Sequence, residues 1–257
     1  MGIQPSDKAK YLRKKQRYDN MITLFGRKPV LETLQAPDTK IHRLHLATSN
    51  KAAPIIEKIK ALADTRNIEI KYHDRANLSR ISKNARQDQG VAADIVAPNY
   101  KPLSDLSPTP GGELLLLDRI TNPQNLGMII RSVAASPISG LILPKSGCAR
   151  ITPLVVKASA GTLFRATIYH CEDTISAIRD LKAWGRTICG LDAQGDIPLA
   201  ELNNDQPRAL VLGNETDGLS RDVINACDQL VNIPLANQVE SLNVVAAATL
   251  VTFRSLV

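Results

Sequence analysis

Three polar segments, each following an apolar run, hold the side chains of this 257-residue chain that could do chemistry. In DRITNPQNLGMIIRS, from Asp118 to Ser132, Asn122 suits the cap of a helix and Pro123 its first position. Gly127 and Arg131 lie four apart and share a helix face, so the glycine is expected to leave room for the guanidinium to meet a ligand. Taken alone, a capped helix with a solvated arginine is the simpler reading. In LVLGNETDGLS, from Leu210 to Ser220, Gly213 ends a buried run where a backbone could approach a ligand, and Glu215 lies near the start of the next helix. Taken alone, this is a strand-end turn. In VNIPLANQVESLNVVAAATL, from Val231 to Leu250, Ile233, Pro234 and Leu235 form an apolar strand end and Ser241 is a natural N-cap. Capping accounts for Ser241 but leaves the polar Asn243, just inside the helix, unexplained.

The elements that must position these segments alternate regularly. ELLLLD, GLILP, FRATIYH, TICGLDA, RALVLG and LVNIPL read as strands with near-continuous apolar runs. Helices are expected over 123–135, 152–160, 172–184 and 221–228, and a last one from Leu242 to about Ser255. Continuous apolar strands separated by helices indicate a parallel sheet covered on both faces. Such a sheet binds its ligand beyond the carboxyl ends of its strands, which is where the three segments lie. GxGxxG, GxxxxGK(S/T) and GxSxG patterns are absent, so a dinucleotide fold, a P-loop and a nucleophile elbow are all unsupported.

Ahead of this domain, residues 21–98 read as a smaller α/β unit. IHRLHLA, IEIKYH and GVAADIVA are its strands. A short helix around Pro29 ends near Leu34, and residues 51–66 put Ile55, Ile56, Ile59, Leu62 and Ala63 on one helical stripe. NLSRIS makes a helical turn. The stretch NYKPLSDLSPTPGG, residues 99–112, reads as the linker, and residues 113–257 form the second domain.

The net charge of +7 is unevenly distributed. Residues 1–20 carry six basic and two acidic side chains, residues 21–98 thirteen and eight, and residues 99–257 thirteen and fifteen. A basic front half on a near-neutral domain is the layout of a polyanion-docking segment attached to a catalytic or ligand-binding one. For the arm over 1–20 alone, a plain solvated tail is an equal reading. Cys148, Cys171, Cys189 and Cys227 form no CxxC pair, so reduced thiols in a cytoplasmic protein are expected and a zinc site is not. His42 and His45 should point to opposite faces of one strand, which argues against a shared metal. No secretory leader or membrane span is expected.

Taken in order, NPxNxGxxxR, a strand ending in GNExxGLS, and IPxxxxxxSLN closely resemble the three motifs of the SpoU (TrmH) branch of the SPOUT methyltransferases. The resemblance covers nearly all of residues 113–257. FGRKPVLETL and QGVAADI resemble the ribosomal-protein-like substrate-binding domain of the 23S rRNA guanosine 2′-O-methyltransferases of that family (RlmB type). The resemblance implies a parallel sheet with a C-terminal trefoil knot, a homodimer with its active site at the subunit interface, and S-adenosyl-L-methionine as cofactor. By resemblance, Gly213, Ile233 and Leu242 hold the cofactor, with Leu212, Asn214 and Leu235 beside them. Arg131 falls where the family has its catalytic arginine, proposed there to accept or relay the 2′-hydroxyl proton. Because a guanidinium keeps its proton near neutrality, we expect it instead to grip a phosphate and stabilise the developing alkoxide. Asn125, Glu215, Ser241 and Asn243 match the remaining polar motif positions and are expected to orient Arg131 and the ribose.

The implied activity is an RNA ribose 2′-O-methyltransferase acting on rRNA. Alternatives are a tRNA enzyme of the same family, an rRNA enzyme that confers antibiotic resistance, and a non-catalytic RNA-binding factor that keeps the fold. The sequence departs from the family pattern in three places. SPISG, residues 136–140, replaces the usual Phe-Gly after the first motif's helix. Asp88 stands where a histidine is usual, which touches on which nucleotide is recognised. The chain stops at Val257, so its last helix is expected to contribute less to the dimer than usual.

Overall fold

A computed structural model describes residues 21–36, 39–96, 100–106, 111–203 and 206–256. The basic arm over 1–20 lies outside the described residues. The chain divides into two compact units, residues 1–98 and 99–257.

The first unit is a four-stranded mixed sheet: β1 (Met21–Phe25), β2 (Lys40–Ala47), β3 (Ile70–His73) and β4 (Val91–Val96), in the order β1-β4-β2-β3. Only the β2–β3 pair is parallel. Helix α1 (Arg27–Gln35) has Pro29 in its first turn, and α2 (Pro54–Thr65) buries Ile56, Ile59 and Ala63. Ile55 and Leu62, at the margins of the predicted stripe, are half-buried. Arg66, just past α2, donates to the Leu34 and Ala36 carbonyls at 2.8 and 3.2 Å and so satisfies the end of α1. Helix α3 (Arg75–Ser82) covers the other face of the sheet, with Leu78 against Ala47 and Ala92.

Asp88 is fully buried. It accepts from Ser82 Oγ at 3.0 Å and from the Gly90 amide at 2.9 Å. The carboxylate at position 88 is thus bound inside this unit by Ser82 and the Gly90 backbone. His45 likewise turns inward, 2.9 Å from His73 and 3.0 Å from Asp94, and Thr23 donates to the same Asp94 at 2.8 Å.

The second unit contains an eight-stranded sheet in which every pair is parallel. Its strands are β5 (Tyr100–Pro102), β6 (Glu113–Leu117), β7 (Gly140–Pro144), β8 (Ile168–Cys171), β9 (Thr187–Leu191), β10 (Ile197–Pro198), β11 (Arg208–Leu212) and β12 (Gln229–Asn232), ordered β10-β12-β9-β11-β6-β7-β8-β5. The helices are α4 (Pro123–Ala135), α5 (Pro153–Ala158), α6 (Thr174–Ala183), α7 (Arg221–Ala226) and α8 (Val244–Phe253). Leu114 to Leu117 are all completely buried, as a central parallel strand covered on both faces requires.

Two readings of this region need correction. The stretch read as a linker contains the edge strand β5, and Leu103 and Leu106 join the hydrophobic core. β5 pairs only with β8, so the missing amide of Pro102 does not break a ladder, and its prolines disguised it. In FRATIYH the strand begins only at Ile168, because residues 162–164 form a 3₁₀ turn. The SPISG departure leaves the handover from α4 intact: Ser136 Oγ donates to the Val133 carbonyl at 3.0 Å and the Ser139 amide to Glu113 at 2.8 Å. All four cysteines are free thiols. Burial pushes Cys148 and Cys227 up to about 11 and Cys171 to about 12.

Candidate cofactor and catalytic site

Strands β12, β9 and β11 are neighbours in the sheet, and the loops leaving their carboxyl ends border an open cavity of about 440 Å³. From the β11 loop come Leu212, Gly213, Asn214, Glu215, Thr216 and Gly218; from the β12 loop come Ile233, Leu235, Glu240, Ser241 and Leu242. Val244 and Ala247 of α8 complete that side. All six positions expected to hold a cofactor therefore line one cavity, together with Glu215 and Ser241.

The β11 loop is a tight hairpin. Asn214 and Gly218 exchange backbone hydrogen bonds at 2.9 and 3.0 Å, and the Asn214 side chain accepts from the Thr216 amide at 2.8 Å. A β-carbon at Gly213 would come within 2.4 Å of the Gly218 oxygen and the Leu219 nitrogen. The backbone that needs Gly213 to be small is thus the loop's own, and the closure it permits brings the loop onto the cavity. Glu215 accepts from Asn125 Nδ2 at 2.7 Å, which ties the hairpin to the first turn of α4.

The β12 loop differs from the sequence reading. Helix α8 starts at Val244, and its N-cap is Asn243, whose side chain accepts from the Val245 amide at 2.8 Å. Ser241 caps nothing and instead faces the cavity from an exposed loop. Asn243 thereby gains the structural account it lacked, and Ser241 becomes the residue that capping does not explain.

Helix α4 begins as read, with Asn122 accepting from the Gln124 amide at 2.8 Å and Pro123 in the first turn. The reading of Gly127 is overturned. A β-carbon there would lie 2.6 Å from the Val155 carbonyl and 2.5 Å from Ala158 Cβ, so the glycine serves close packing of α4 on α5, not ligand access. Arg131 is exposed and has no hydrogen-bond or ion-pair partner among the described residues. It is not among the residues lining the cavity.

The sequence reading also missed a third wall. Leu191, Asp192, Ala193 and Gln194 leave the end of β9 and line the cavity. The Asp192 amide donates to Val231 at 3.0 Å, and its carboxylate accepts from the Gln194 amide at 2.8 Å. The available signal was the strand-end rule itself, applied to LDAQG. Gly195, whose β-carbon would press on the Val231 backbone at 2.7 Å, marks the close approach.

The lining pairs apolar walls with three carboxylates, Asp192, Glu215 and Glu240, and includes no basic side chain among the described residues. Such a lining suits an uncharged ring and a cationic centre better than a phosphate.

Comparison with known proteins agrees. Residues 113–253 match the SpoU rRNA Methylase family, and residues 23–101 match the RNA 2′-O ribose methyltransferase substrate-binding family. An uncharacterized tRNA/rRNA methyltransferase of Mycobacterium ulcerans is 36% identical over 242 residues, spanning 91% of this chain and 76% of its own. The AdoMet-bound rRNA methyltransferase of Sinorhizobium meliloti superimposes with a TM-score of 0.65 at 27% identity, covering 94% of this chain and 89% of its own. The SpoU methyltransferase AviRb of Streptomyces viridochromogenes, in complex with AdoMet, gives 0.69 at 25% identity, covering 95% and 92%. The family matches fall on both compact units and span the three cavity loops: this chain belongs to the SpoU rRNA methylase family.

Proposed function

We propose that this protein is an S-adenosyl-L-methionine-dependent RNA methyltransferase that modifies a ribose 2′-hydroxyl, with rRNA as its substrate. The observation that carries the reading is the convergence of Gly213, Ile233 and Leu242, from two separate loops, on a single cavity whose lining suits a sulfonium nucleoside. When bound, S-adenosyl-L-methionine supplies an electrophilic methyl group.

The chain's own residues do the rest. Leu212, Ile233, Leu235 and Leu242 pack the adenine and thioether, and backbone groups of the Gly213–Gly218 hairpin and the β9 loop fix the orientation. Asn125 and Glu215 brace the hairpin against α4, Ser241 meets the ribose side, and Asn243 holds the start of α8. Arg131 grips the phosphate next to the target ribose and stabilises negative charge growing on O2′; positioning and charge stabilisation supply most of the rate. Because Arg131 stands clear of its own cavity, we assign it to the cavity of a second copy in a homodimer. In this reading the first unit docks the RNA, the basic arm adds salt-sensitive affinity, and the C-terminal segment is threaded as a trefoil knot.

Mapping 2′-O-methyl sites on total RNA with and without the gene tests the activity, and an rRNA site that disappears is the expected result. Calorimetry with S-adenosyl-L-methionine tests the cavity, and no binding would leave the RNA-binding factor as the better reading. Mixing Arg131→Ala with Glu215→Ala protein tests the shared site. Recovered activity is expected, and none would return Arg131 to its own cavity. Arg131→Lys working at near wild-type rate with a flat pH profile would contradict the role given to the guanidinium.

A further inference from the structure

Arg119 was not singled out by any motif and does not line the cavity, yet it is hydrogen-bonded to both ends of the cavity hairpin. Its backbone is left-handed, at φ 57°, a conformation that the β-carbon of an L-residue disfavours. Such strain persists only where the surroundings over-determine it, and here the surroundings can be named. The Arg119 carbonyl accepts from Asn214 Nδ2 at 2.8 Å, and Arg119 Nη2 donates to the Gly218 carbonyl at 3.0 Å. Asn214 and Gly218 are the two residues that close the hairpin, so Arg119 holds both of its ends. The guanidinium is itself held by Asp118, with Nε 3.3 Å from Oδ2.

Asp118 is buried, and its carboxylate also accepts from the Ser220 amide at 3.1 Å and from Thr174 Oγ1 at 3.1 Å. The pair therefore fixes residues 214, 218 and 220 to the end of β6. The tip between those anchors carries Glu215 and Thr216, both of which line the cavity.

We infer that Arg119 is a positioning residue: clamped by Asp118, its guanidinium and carbonyl set the Asn214–Gly218 hairpin in the shape that binds the cofactor. The inference rests on the reading of the cavity as the S-adenosyl-L-methionine site. It makes a prediction that a purely structural role does not. Arg119→Gly relieves the left-handed backbone, since glycine adopts positive φ readily, while removing the guanidinium. Melting temperature should therefore hold or rise while affinity falls.

The test is calorimetry of full-length protein with S-adenosyl-L-methionine, beside thermal melts and amide hydrogen exchange. For Arg119→Gly we expect Kd to weaken about ten-fold, the size of one lost hydrogen bond from a charged donor. The Asn214 and Gly218 amides should exchange faster. Arg119→Lys, which keeps the charge but not the fork, should fall between the two. In turnover assays KM for the cofactor should rise while kcat at saturating cofactor stays nearly level. An unchanged Kd in Arg119→Gly would overturn the inference and leave the cavity reading standing. So would an affinity loss that tracks a fall in melting temperature. Failure of the parent protein to bind S-adenosyl-L-methionine would overturn both.

Discussion

At the amino ends of the parallel strands, Arg186 donates to the Gly112 and Gly111 carbonyls at 2.8 and 3.0 Å. Arg254 donates to Glu113 through Nε at 2.9 Å and to Leu202 O at 2.8 Å, and Arg208 lies 3.4 Å from the same carboxylate. All three arginines are nearly fully buried. At the carboxyl ends of the same strands the charged groups behave differently: Asp192, Glu215 and Glu240 face a cavity, and the loop residues 234–243 are exposed throughout. At one end Arg186 and Arg254 seal backbone carbonyls and Arg208 and Arg254 share the Glu113 carboxylate; at the other, Asp192, Glu215 and Glu240 face a space that a ligand would fill. The difference teaches that the amino ends use buried charge for the fold itself, while the carboxyl ends leave three carboxylates facing a cavity; Asp118, buried at the end of β6, is the exception and braces the hairpin beside that cavity.

If that division is correct, substitutions at the two ends should separate stability from binding. Arg131→Ala should lower the methylation rate by about a thousand-fold, as loss of a transition-state charge donor does, with melting temperature and cofactor Kd unchanged. A rate within a few-fold of wild type would break the catalytic role given to Arg131, a charge assigned to function that does not line its own chain's cavity. Glu113→Ala strips two buried arginines of their shared partner and should cost about 3 kcal/mol, lowering the melting temperature by roughly 10 °C. Its cofactor Kd should stay within about two-fold of the parent. Weakened binding at full stability would show that the amino end is not merely structural. Gly213→Ala forces the hairpin open and should weaken cofactor binding about ten-fold with a smaller stability loss, measured by the same calorimetry.

The smallest effect belongs to the first unit. Burial, reinforced by the neighbouring His45, holds His73 below its ordinary value. The unfolded chain therefore binds the proton more readily, so this stabilisation is full above about pH 6.5 and is lost as pH falls toward the depressed value. Denaturant melts should show this unit losing stability below pH 6.5 and His73→Gln removing that slope. A slope of the opposite sign would mean that the imidazole is held in its charged form.

Much of this molecule was legible in its residues. The leucine run of β6 and the Asn122–Pro123 start of α4 depend on local periodicity and capping, which act over a few residues; the three strand-end segments were legible by their position and by their resemblance to the SpoU motifs. Proline-bearing β5 was not legible, because its pairing with β8 joins residues far apart in sequence. Gly127 and Ser241 show the same limit at single residues. A glycine four before an arginine and a serine before a small-residue helix have correct local explanations available, and the structure uses others. Which neighbour a small residue accommodates, and which of two polar residues caps a helix, is settled by what packs against it.

What the sequence by itself determined is the alternation of strands and helices, the parallel sheet, and the position of three polar segments at its strand ends; which of their side chains hold a cofactor came from the resemblance to the SpoU family. Only the tertiary structure decided that the β9 loop completes the cavity, that Asp88 faces inward, that Gly127 serves helix packing, and that Arg119 holds the hairpin. The physical reason is range. Hydrophobic period and capping are properties of neighbouring residues, whereas a cavity wall or a clamp is made by groups about a hundred positions apart, such as Arg119 and Gly218, meeting across a folded core.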